Sequence, residues 1–403
     1  MNPARSLIER HRDVLDARPS DGEVPDALAT RGWDAFLLAL SDDALEELET
    51  RGLDSDWPGG TPPTLRAMID EARAVCALPS FSTTATSKPK KLETPRKRAQ
   101  IDAFAELVVP LASRAARVLD VGSGHGHLTR EIAEKIDRPV VGLERDPALI
   151  ARARSLSESV SFAVTDVLHD GLQLSSDDCV IGLHACGELG DAMVEAAART
   201  GASIALVGCC LQKRRTTRAS FDASIELPKR LLGLSNLTAR DVGVEATRAE
   251  NLLARERRLA LHRLLGEYGP LRHGAEMDGL NRRAAHDDLP SLVARVFSLR
   301  GLPGPPLAAI EEAARWAHVQ HRRARRLSLP RAMLARSLEV FVLFDRARHL
   351  ESHGFAVRVG SLFPPGVSAR NLALVASRFS PCEAPAPGVA IVTAQFNFRR
   401  STR

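Results

Sequence analysis

The segment 117–144 constrains the fold of this 403-residue chain more than any other, because it joins two apolar runs through a glycine-rich turn. Arg117–Val121 is long enough for one buried strand, and glycines follow it at positions 122, 124 and 126. Apolar residues then recur at helical spacing from Leu128, and a second apolar run ends in Glu144. Glycine lets the backbone turn sharply and approach a ligand, and an acid about twenty residues further on is where a ribose would be bound. The segment therefore predicts a strand–helix–strand unit that binds a nucleoside.

The spacing of the glycines distinguishes between two nucleoside cofactors. A dinucleotide-binding fingerprint requires a glycine where this chain has His127, and the pattern from Asp120 is instead Asp-x-Gly-x-Gly-x-Gly. That pattern resembles the first motif of the class I S-adenosylmethionine-dependent methyltransferases. The resemblance implies that Asp120 and the loop hold the methionine end of the cofactor, that Glu144 holds the ribose, and that Asp166 lies beside the adenine. The cofactor-binding residues predicted in this way are Asp120, Gly122, Ser123, Gly124, Gly126, Glu144, Arg145, Asp166, Val167 and His184. The alternative is a strand–helix unit whose glycine turn binds no ligand. This alternative is less favoured, because the strand, the helix and the acid all occur at the expected spacing.

Strands and helices alternate after this unit, which predicts an α/β fold with a parallel sheet. Further strands are expected at 160–164, 179–184 and 203–208, separated by helices. The class I resemblance implies a Rossmann-like sheet of seven, mostly parallel strands. Ligands of such sheets bind beyond the carboxyl ends of the strands, where we expect convergence of the glycine loop, Glu144, Asp166, the segment 184–188 and Cys209.

Short motifs elsewhere resemble a narrower group of proteins. Residues 87–91 read Ser-Lys-Pro-Lys-Lys, residues 184–189 read His-Ala-Cys-Gly-Glu-Leu, and residues 207–210 read Val-Gly-Cys-Cys. Together with the glycine loop and residues 368–374, they look like the methyltransferase-like protein 25 family and its bacterial relatives. The His-x-Cys-Gly and Cys-Cys elements are also similar to those of a tRNA 2′-O-methyltransferase family. The chain departs from the pattern after Cys210, where Leu211 and Gln212 replace a histidine or an aromatic residue.

Length and composition predict two or three domains in a chain without a membrane span. We expect a helical, acid-leaning cap domain over 1–78, a basic linker over 79–99, the cofactor-binding core over 100–220, a helical insertion over 221–335, and a closing helix with the last strands over 336–403. Residues 389–398 alternate like a further strand. Six cysteines without framework spacing suit a reducing compartment, so a cytoplasmic location is expected.

Basic residues are unevenly distributed, although Lys and Arg (55) only slightly exceed Asp and Glu (50). One cluster lies at 88–98, a second at 213–218, and two basic helices are expected at 248–265 and 307–326. Such clusters suit the phosphates of RNA, and the alternative is that they are solvated helix faces. The residues predicted to bind the substrate are Lys90, Lys91, Arg96, Cys209, Cys210, Lys213 and Arg214.

The chemistry of methyl transfer needs alignment of the acceptor more than covalent help, although a base assists when the acceptor is a hydroxyl or a protonated amine. His184 and Glu188, at the expected end of the fourth strand, are the predicted catalytic residues. In the alternative, His184 caps that strand and Glu188 caps the next helix. A cysteine nucleophile at Cys210 is disfavoured, since no Pro-Cys partner appears at strand four. His184, Cys186, Cys209 and Cys210 are zinc-ligand types without C-x-x-C spacing, so no metal site is predicted.

Three functions remain open at this point. The first is an S-adenosylmethionine-dependent methyltransferase that acts on tRNA or rRNA, held by charge and shape because an aromatic content of 4% offers few stacking platforms. The second is the same enzyme acting on a protein side chain, with the cap domain and the insertion as docking surfaces. The third is a catalytically silent module that binds RNA or a protein partner. Asp120, the loop glycines and Glu144 are all present, which favours an enzyme.

Overall fold

The computed structural model describes residues 2–19, 22–83, 87–90, 93–157, 159–221, 225–239 and 246–378. The chain forms two compact units, each assembled from separate stretches of sequence. Unit 1 comprises residues 1–10, 72–243 and 335–403, and unit 2 comprises residues 11–71 and 244–334. Residues 11–71 of the expected cap domain and residues 244–334 of the expected helical insertion belong to unit 2, while the remaining residues of both belong to unit 1. The predicted domain bounds stay a prediction. The strand expected at 389–398 lies outside the described residues.

The strands of unit 1 form one large sheet and one short ribbon. In chain order they are β1 (Arg117–Val121), β2 (Val140–Glu144), β3 (Ser161–Val164), β4 (Asp178–Cys186), β5 (Ser203–Cys209), β6 (Arg218–Ala219), β7 (Glu226–Leu227), β8 (Ala356–Ser361) and β9 (Leu372–Ser377). The large sheet has the order β3-β2-β1-β4-β5-β9-β8, and β6 pairs with β7 in the ribbon. Strands β1 to β5 are parallel, and β9 runs antiparallel to both of its neighbours. This confirms the α/β fold with a seven-stranded, mostly parallel sheet.

The helices of both units account for most of the remaining described chain. In chain order they are α1 (Pro3–Arg10), α2 (Arg12–Asp16), α3 (Asp26–Ala29), α4 (Asp34–Ala39), α5 (Asp42–Arg51), α6 (Pro63–Cys76), α7 (Pro95–Ala112), α8 (His127–Lys135), α9 (Pro147–Leu156), α10 (Val167–Asp170), α11 (Glu188–Thr200), α12 (Lys229–Leu232), α13 (Arg248–Gly266), α14 (Leu289–Leu299), α15 (Leu307–Leu327) and α16 (Leu329–Ser352). Among the described helices, none has both the length and the apolar character that a membrane crossing requires.

Alternating side chains of the central strands divide between two helical layers. On one face, Ile181 of β4 and Val207 of β5 pack with Phe104 of α7 and Ile132 of α8 in a single apolar cluster. On the other face, Gly182 of β4 leaves room for a methionine of α11, because a side chain there would meet it. Successive residues of a strand point to opposite faces, so helices cover both faces of the sheet. The carboxyl ends of the strands lie at the edge of the sheet.

Helix starts in unit 1 are set by short polar side chains and prolines. Thr94 accepts a hydrogen bond from the amide of Lys97 at 3.2 Å, and Pro95 is the first residue of α7. Asp146 likewise accepts from the amide of Ala148 at 2.8 Å, just before α9. A capped start with proline at the first helical position fixes where each helix leaves the sheet edge. Gln100, near the start of α7, lies 3.0 Å from His184 at the end of β4, so α7 begins near the carboxyl ends of the strands.

Unit 2 has its own apolar core. Leu261 and Leu264 of α13 pack with Val293 and Phe297 of α14 and with Ala313 of α15. Helix α13 starts with a capping box, in which Thr247 and Glu250 bond reciprocally to each other's backbone amides. The 19-residue α13 and 21-residue α15 match the two basic helices expected from the sequence.

Candidate cofactor and acceptor site

The glycine loop between β1 and α8 has a left-handed backbone at three positions. The φ angles are +73° at Gly122, +55° at Gly124 and +71° at Gly126, a region that residues with a side chain seldom adopt. The Gly122 amide donates to the Leu143 carbonyl at 2.8 Å, which fixes the loop against the end of β2. A side chain on Gly124 would point into open space, whereas one on Gly126 would meet the ring of Phe162. The loop is therefore packed against Phe162 at Gly126 and has free space at Gly124, which leaves room for a ligand beside the backbone.

Glu144 ends β2 with its carboxylate turned towards this loop. Its Oε2 accepts a hydrogen bond from the Gly124 amide at 3.2 Å, and its Oε1 accepts from the amides of Arg145 and Asp146 at 2.9 and 3.1 Å. Three backbone amides thus hold the carboxylate beside the open side of the glycine loop. This is the position from which an acid binds the hydroxyls of a ribose. The side chain of Arg145 is exposed beside it.

Asp120 at the end of β1 is only 2% exposed and supports the loop from the core side. Its Oδ2 accepts a hydrogen bond from the hydroxyl of Thr129 in α8 at 2.7 Å. Burial raises the pKa of the Asp120 carboxyl to about 6, against the opposing effect of the Thr129 hydrogen bonds. The carboxyl group therefore joins the two elements that flank the loop, and its predicted contact with the methionine end of a cofactor stays a prediction.

Asp166 follows β3 at the same edge of the sheet, next to the end of β2. Its Oδ1 accepts from the amide of Leu168 at 3.1 Å, so it caps the short helix α10. The strand register pairs Glu144 with Val164, which brings the two acids to neighbouring strand ends. Val167, the other residue predicted here, is 7% exposed.

His184 occupies an irregular position near the end of β4. Its φ is +66°, and the register with β5 shifts between Leu183 and Ala185, which marks a bulge. Its Nε2 lies 3.0 Å from Oε1 of Gln100, whose own Nε2 donates to the Val367 carbonyl at 3.4 Å. The Gln100 oxygen is then the acceptor, so His184 carries its proton on Nε2 and leaves Nδ1 with a lone pair.

The environment of His184 keeps its imidazole neutral. Burial, followed by the positive charges of Arg96 and Arg370, lowers the pKa of His184 to about 4. The sequence analysis did not predict Gln100, which is one of the buried polar residues of α7. A polar residue next to the apolar residues of a predicted helix is the sequence signal that could have indicated it, because a buried polar group needs a hydrogen-bond partner.

Glu188 is the first residue of α11 and bonds to the turn that follows β5. Its Oε2 accepts from the Arg215 amide at 3.0 Å, and its own amide donates to the Lys213 carbonyl at 3.1 Å. Both bonds join the end of β4 to the end of β5. This geometry favours a positioning role for Glu188, and its predicted role as a base stays a prediction.

The two cysteines predicted to bind substrate lie at the end of β5. Cys209 is 7% exposed, and its Sγ lies 3.3 Å from the His184 carbonyl oxygen. Cys210 is half-buried and has a φ of +34°. Among the described residues, His184 and Cys210 are the two non-glycine positions with positive φ, and both lie at this edge of the sheet.

Acidic partners bind two residues of the basic cluster at 88–98, Lys90 and Arg98, and Lys90 is one of the residues predicted to bind the substrate. The Lys90 ammonium lies 3.0 Å from Glu131 and 2.6 Å from Glu134 of α8. Arg98 is 1% exposed and pairs with Asp102 and Glu131. Lys91 lies outside the described residues. Arg96 is exposed, and its Nε donates to the Val367 carbonyl at 2.8 Å.

A second correction concerns the arginines after β5. Arg214 was predicted to bind substrate, but its side chain is 6% exposed and donates to Asp191 of α11 at 2.8 Å. Arg218 is 2% exposed and also reaches Asp191, at 3.2 Å. Lys213 and Arg215 are exposed. Asp191 lies 23 residues before Arg214 in the chain, so the charges near Arg214 in the sequence do not indicate that it forms a buried ion pair.

The basic helices of unit 2 are likewise matched by acids within that unit. Glu49 of α5 accepts from Arg248 of α13 and from Arg325 of α15, both at 2.6 Å. Arg326 reaches Asp42 at 2.7 Å. The acid-leaning N-terminal helices therefore offset part of the positive charge of these two helices, and the expectation that the clusters bind RNA phosphates stays a prediction.

The sheet, the loop and the acid define the class of this domain. Residues 96–217 match the model of a family described as a methyltransferase domain. Within this stretch lie the glycine loop that is open at Gly124, the Glu144 carboxylate beside it, and a buried Ser123 hydroxyl without a hydrogen-bond partner among the described residues. Residues 96–217 therefore form a class I methyltransferase domain, and S-adenosylmethionine is the cofactor that its residues fit.

Comparisons with particular proteins add little beyond that class. The chain is similar to a glutathione S-transferase C-terminal domain-containing protein of Xenopus laevis, with 23% identity over 213 residues, or 48% of this chain and 34% of that protein. The matched stretch thus spans about a third of the length of this relative.

Two solved structures are also similar in part. One is CalS10 with S-adenosylmethionine bound, an amino pentose methyltransferase from Micromonospora echinaspora, with 26% identity over 28% of this chain and 50% of that one, at a TM-score of 0.24. The other is the sugar N-methyltransferase KedS8 from Streptoalloteichus, with 22% identity over 32% of this chain and 59% of that one, also at 0.24. TM-scores this low carry no inference about the acceptor of this chain.

Proposed function

We propose that this chain transfers a methyl group from S-adenosylmethionine to RNA, with tRNA or rRNA as the acceptor, at the carboxyl ends of β1 to β5. The observation that carries the proposal is the Glu144 carboxylate, held 3.2 Å from the Gly124 amide beside a loop position with open space above it. When bound, the cofactor supplies a methyl group that is already activated. The chain then has to hold the nucleoside, align the acceptor and exclude water.

In this proposal His184 orients the acceptor. Its Nε2 proton is engaged by Gln100 at 3.0 Å, so the lone pair on Nδ1 is available to accept a hydrogen bond from an acceptor hydroxyl. A pKa lowered to about 4 makes the imidazole a weak base at neutral pH. Alignment by a fixed hydrogen bond is therefore a better description of its role than removal of a proton.

The support for RNA comes from the cations that remain exposed at this edge. Arg96, in the first turn of α7, lies close enough to His184 to affect its pKa, and Lys213 and Arg215 are exposed on the turn after β5. Exposed cations around the position of the acceptor suit phosphates that flank a target nucleotide. The paired arginines of unit 2 do not contribute to this argument, because acids of the same unit already bind them.

The family motifs give a finer version of the same proposal. The motifs at 184–189 and 207–210 end β4 and β5 at the proposed acceptor position. In the late motif at 368–374, Asn371 donates to the Phe363 carbonyl at 2.8 Å, and Arg370 pairs with Glu339 at 2.7 Å. We therefore propose membership in a group like the methyltransferase-like protein 25 family, with the late motif as the support of β9.

Cofactor binding is tested by thermal unfolding with and without S-adenosylmethionine and its demethylated product. Gly124→Asp would place a carboxylate next to Glu144 in the open space, and aspartate tolerates the left-handed backbone better than most residues. The matched control is Gly354→Asp, at a φ of +83° with open space after α16. We expect both ligands to raise the Tm of the wild type and of Gly354→Asp but not of Gly124→Asp. Equal shifts in all three proteins, or no shift in the wild type, would overturn the proposed cofactor site.

The acceptor is tested by transfer of a labelled methyl group into fractionated lysate, followed by RNase or protease. We expect RNase-sensitive label. We also expect the double variant Lys213→Gln/Arg215→Gln to bind RNA more weakly, with a salt slope lower by about 1 for each phosphate that is no longer bound. The control Arg325→Gln removes a positive charge that Glu49 already neutralises, so it should leave the slope unchanged. Label that survives RNase and yields to protease would establish the protein alternative. Cofactor binding without any transfer would establish the silent module.

A further inference from the structure

Three thiols from two neighbouring strands meet at the proposed acceptor position. Cys186 ends β4 and Cys209 ends β5, and the strand register pairs them directly. Their Sγ atoms lie 2.8 Å apart, and the Sγ atoms of Cys186, Cys209 and Cys210 all lie within 4.8 Å of one another. Cys209 is buried, whereas Cys186 and Cys210 are half-buried and face the rim of the sheet.

The backbone around these thiols is held in unusual conformations. The bulge at His184, with its φ of +66°, turns the end of β4 so that Cys186 comes opposite Cys209. Cys210 itself has a φ of +34°. Gly187 lies so close to the Lys213 carbonyl that a side chain there would collide with the backbone. Positive φ at a residue with a side chain costs about 1 kcal/mol or more, and such positions cluster at functional sites.

The chemistry of three converging thiols suits a soft metal ion. A tetrahedral zinc site with Zn–S bonds of about 2.3 Å has sulfur atoms about 3.8 Å apart, and the separations here, from 2.8 Å to at most 4.8 Å, span that value. The positive charges of Lys213 and Arg370 act on Cys210, and they would offset the single negative charge that three thiolates leave on a Zn²⁺ centre.

We propose that Cys186, Cys209 and Cys210 bind one Zn²⁺ ion at the carboxyl ends of β4 and β5. Among the described residues, the ligand atoms that lie within 4.8 Å of one another here are the three thiols, and His184 is not one of the group. Three protein ligands leave one tetrahedral position for an outside ligand, which is the pattern of catalytic rather than structural zinc sites. A thiol or an ionised hydroxyl is the class of ligand that this position takes. The site is independent of the RNA proposal, since zinc binding does not require any particular methyl acceptor.

The test measures metal on the full-length protein, purified under reducing conditions without chelator. We expect about one zinc per chain by elemental analysis, and we expect Co²⁺ replacement to give the thiolate-to-metal charge-transfer absorption of a sulfur-rich site. Cys210→Ser and Cys186→Ser should each weaken zinc binding by more than the 10–100-fold that is typical when a hydrogen bond to a metal ligand is removed. The control Cys76→Ser removes a thiol from α6 and should leave both signals unchanged.

Controls for folding keep the result decisive. Circular dichroism and the Tm of the metal-free variants, compared with metal-free wild type, identify a variant that has simply unfolded. Cys186 and Cys210 are both half-buried, so neither substitution places a hydroxyl in the fully buried core. An added thiol should shift the Co²⁺ spectrum if the fourth position is open. No zinc in the wild type, equal zinc in Cys210→Ser, or a Cys186–Cys209 disulfide in metal-free protein under mild reduction would each overturn the proposal.

Discussion

Asp191→Asn should strongly destabilise unit 1, because Asp191 pairs with several buried arginines. The Asp191 carboxylate lies 2.8 Å from Arg214, 3.2 Å from Arg218 and 2.8 Å from Arg346, and those side chains are 6%, 2% and 3% exposed. Arg346 reaches it from α16 past Gly190 and Gly208, where a side chain at either position would contact the guanidinium. Asp191 therefore pairs with three buried cations that come from α16 and from the segment after β5, and one of them, Arg218, also pairs with the buried Asp345 of α16 at 2.7 Å.

The size of the effect follows from burial. Removing one partner of a buried ion pair costs about 3–5 kcal/mol, because an uncompensated charge stays in the interior. Asparagine keeps the size of the side chain and one hydrogen-bond acceptor, so the loss reports the charge. For a unit of about 250 residues, each kcal/mol corresponds to about 2–4 °C in Tm, so we expect a decrease of about 6–20 °C.

The pH dependence has a definite sign. The arginines around Asp191 hold the pKa of its carboxyl well below the usual value of 3.8, despite the opposing effect of burial. The stabilisation is therefore fully present above the pKa of the unfolded chain and is lost only as the pH falls towards the lowered pKa of the folded state. The free energy of unfolding of wild type and Asp191→Asn should differ by a constant amount between pH 5 and pH 8 and converge in strong acid.

The assay is urea unfolding followed by circular dichroism, with Glu195→Gln as the matched control. Glu195 lies one turn further along α11, is 58% exposed, and pairs with His349 at 3.0 Å. An exposed ion pair of this kind contributes about 0–1 kcal/mol. If Asp191→Asn loses less than about 1 kcal/mol, or no more than Glu195→Gln, then the three arginines do not depend on Asp191 and the reasoning is refuted.

Three further predictions concern stability. The pKa of Asp120 is about 6 in the folded state and 3.8 in the unfolded chain, so the wild type should lose stability as the pH rises from about 4 to about 6. Asp120→Asn should remove this loss and raise the free energy of unfolding at pH 7 by at most about 3 kcal/mol. Urea titrations at pH 4 to 7 measure both effects. Gly187→Ala should lower the free energy of unfolding by about 2 kcal/mol or more, since the new Cβ would collide with the Lys213 backbone. The control Gly354→Ala, also at positive φ but in open space, should lower it by only about 1 kcal/mol. Equal losses in the two variants would contradict the steric argument. Glu49→Gln should cost about 1–3 kcal/mol in thermal unfolding because two arginines share its carboxylate, and an unchanged Tm would show that these pairs are worth no more than surface ion pairs.

The parts of the site that the sequence predicted are those governed by local pattern. Strand β1, the glycine loop, β2 and Glu144 follow one another within 28 residues, so spacing alone orders them. The five parallel strands were expected within one or two residues of their bounds, because apolar runs and glycine breaks define them.

The parts that the sequence did not predict depend on pairing between distant residues. The sequence predicts that Arg214 binds substrate, but its partner Asp191 lies 23 residues earlier in the chain. In the basic helix expected at 307–326, Arg325 pairs with Glu49, which lies 276 residues earlier. The meeting of Cys186 with Cys209 follows from the β4–β5 register and the bulge at His184, neither of which has a local sequence signal.

The division of unit 2 between two distant stretches has a consequence for synthesis on the ribosome. Glu49 of α5 emerges early, but the arginines that neutralise it lie 199 and 276 residues downstream, roughly 10–55 s later at typical elongation rates. During that interval the nascent acidic helices have to persist without their partners, and β5 has to wait for β9 to cover its edge. Molecular chaperones that shield exposed helices and strand edges would therefore matter more for the biogenesis of this chain than for a protein whose domains are contiguous in sequence.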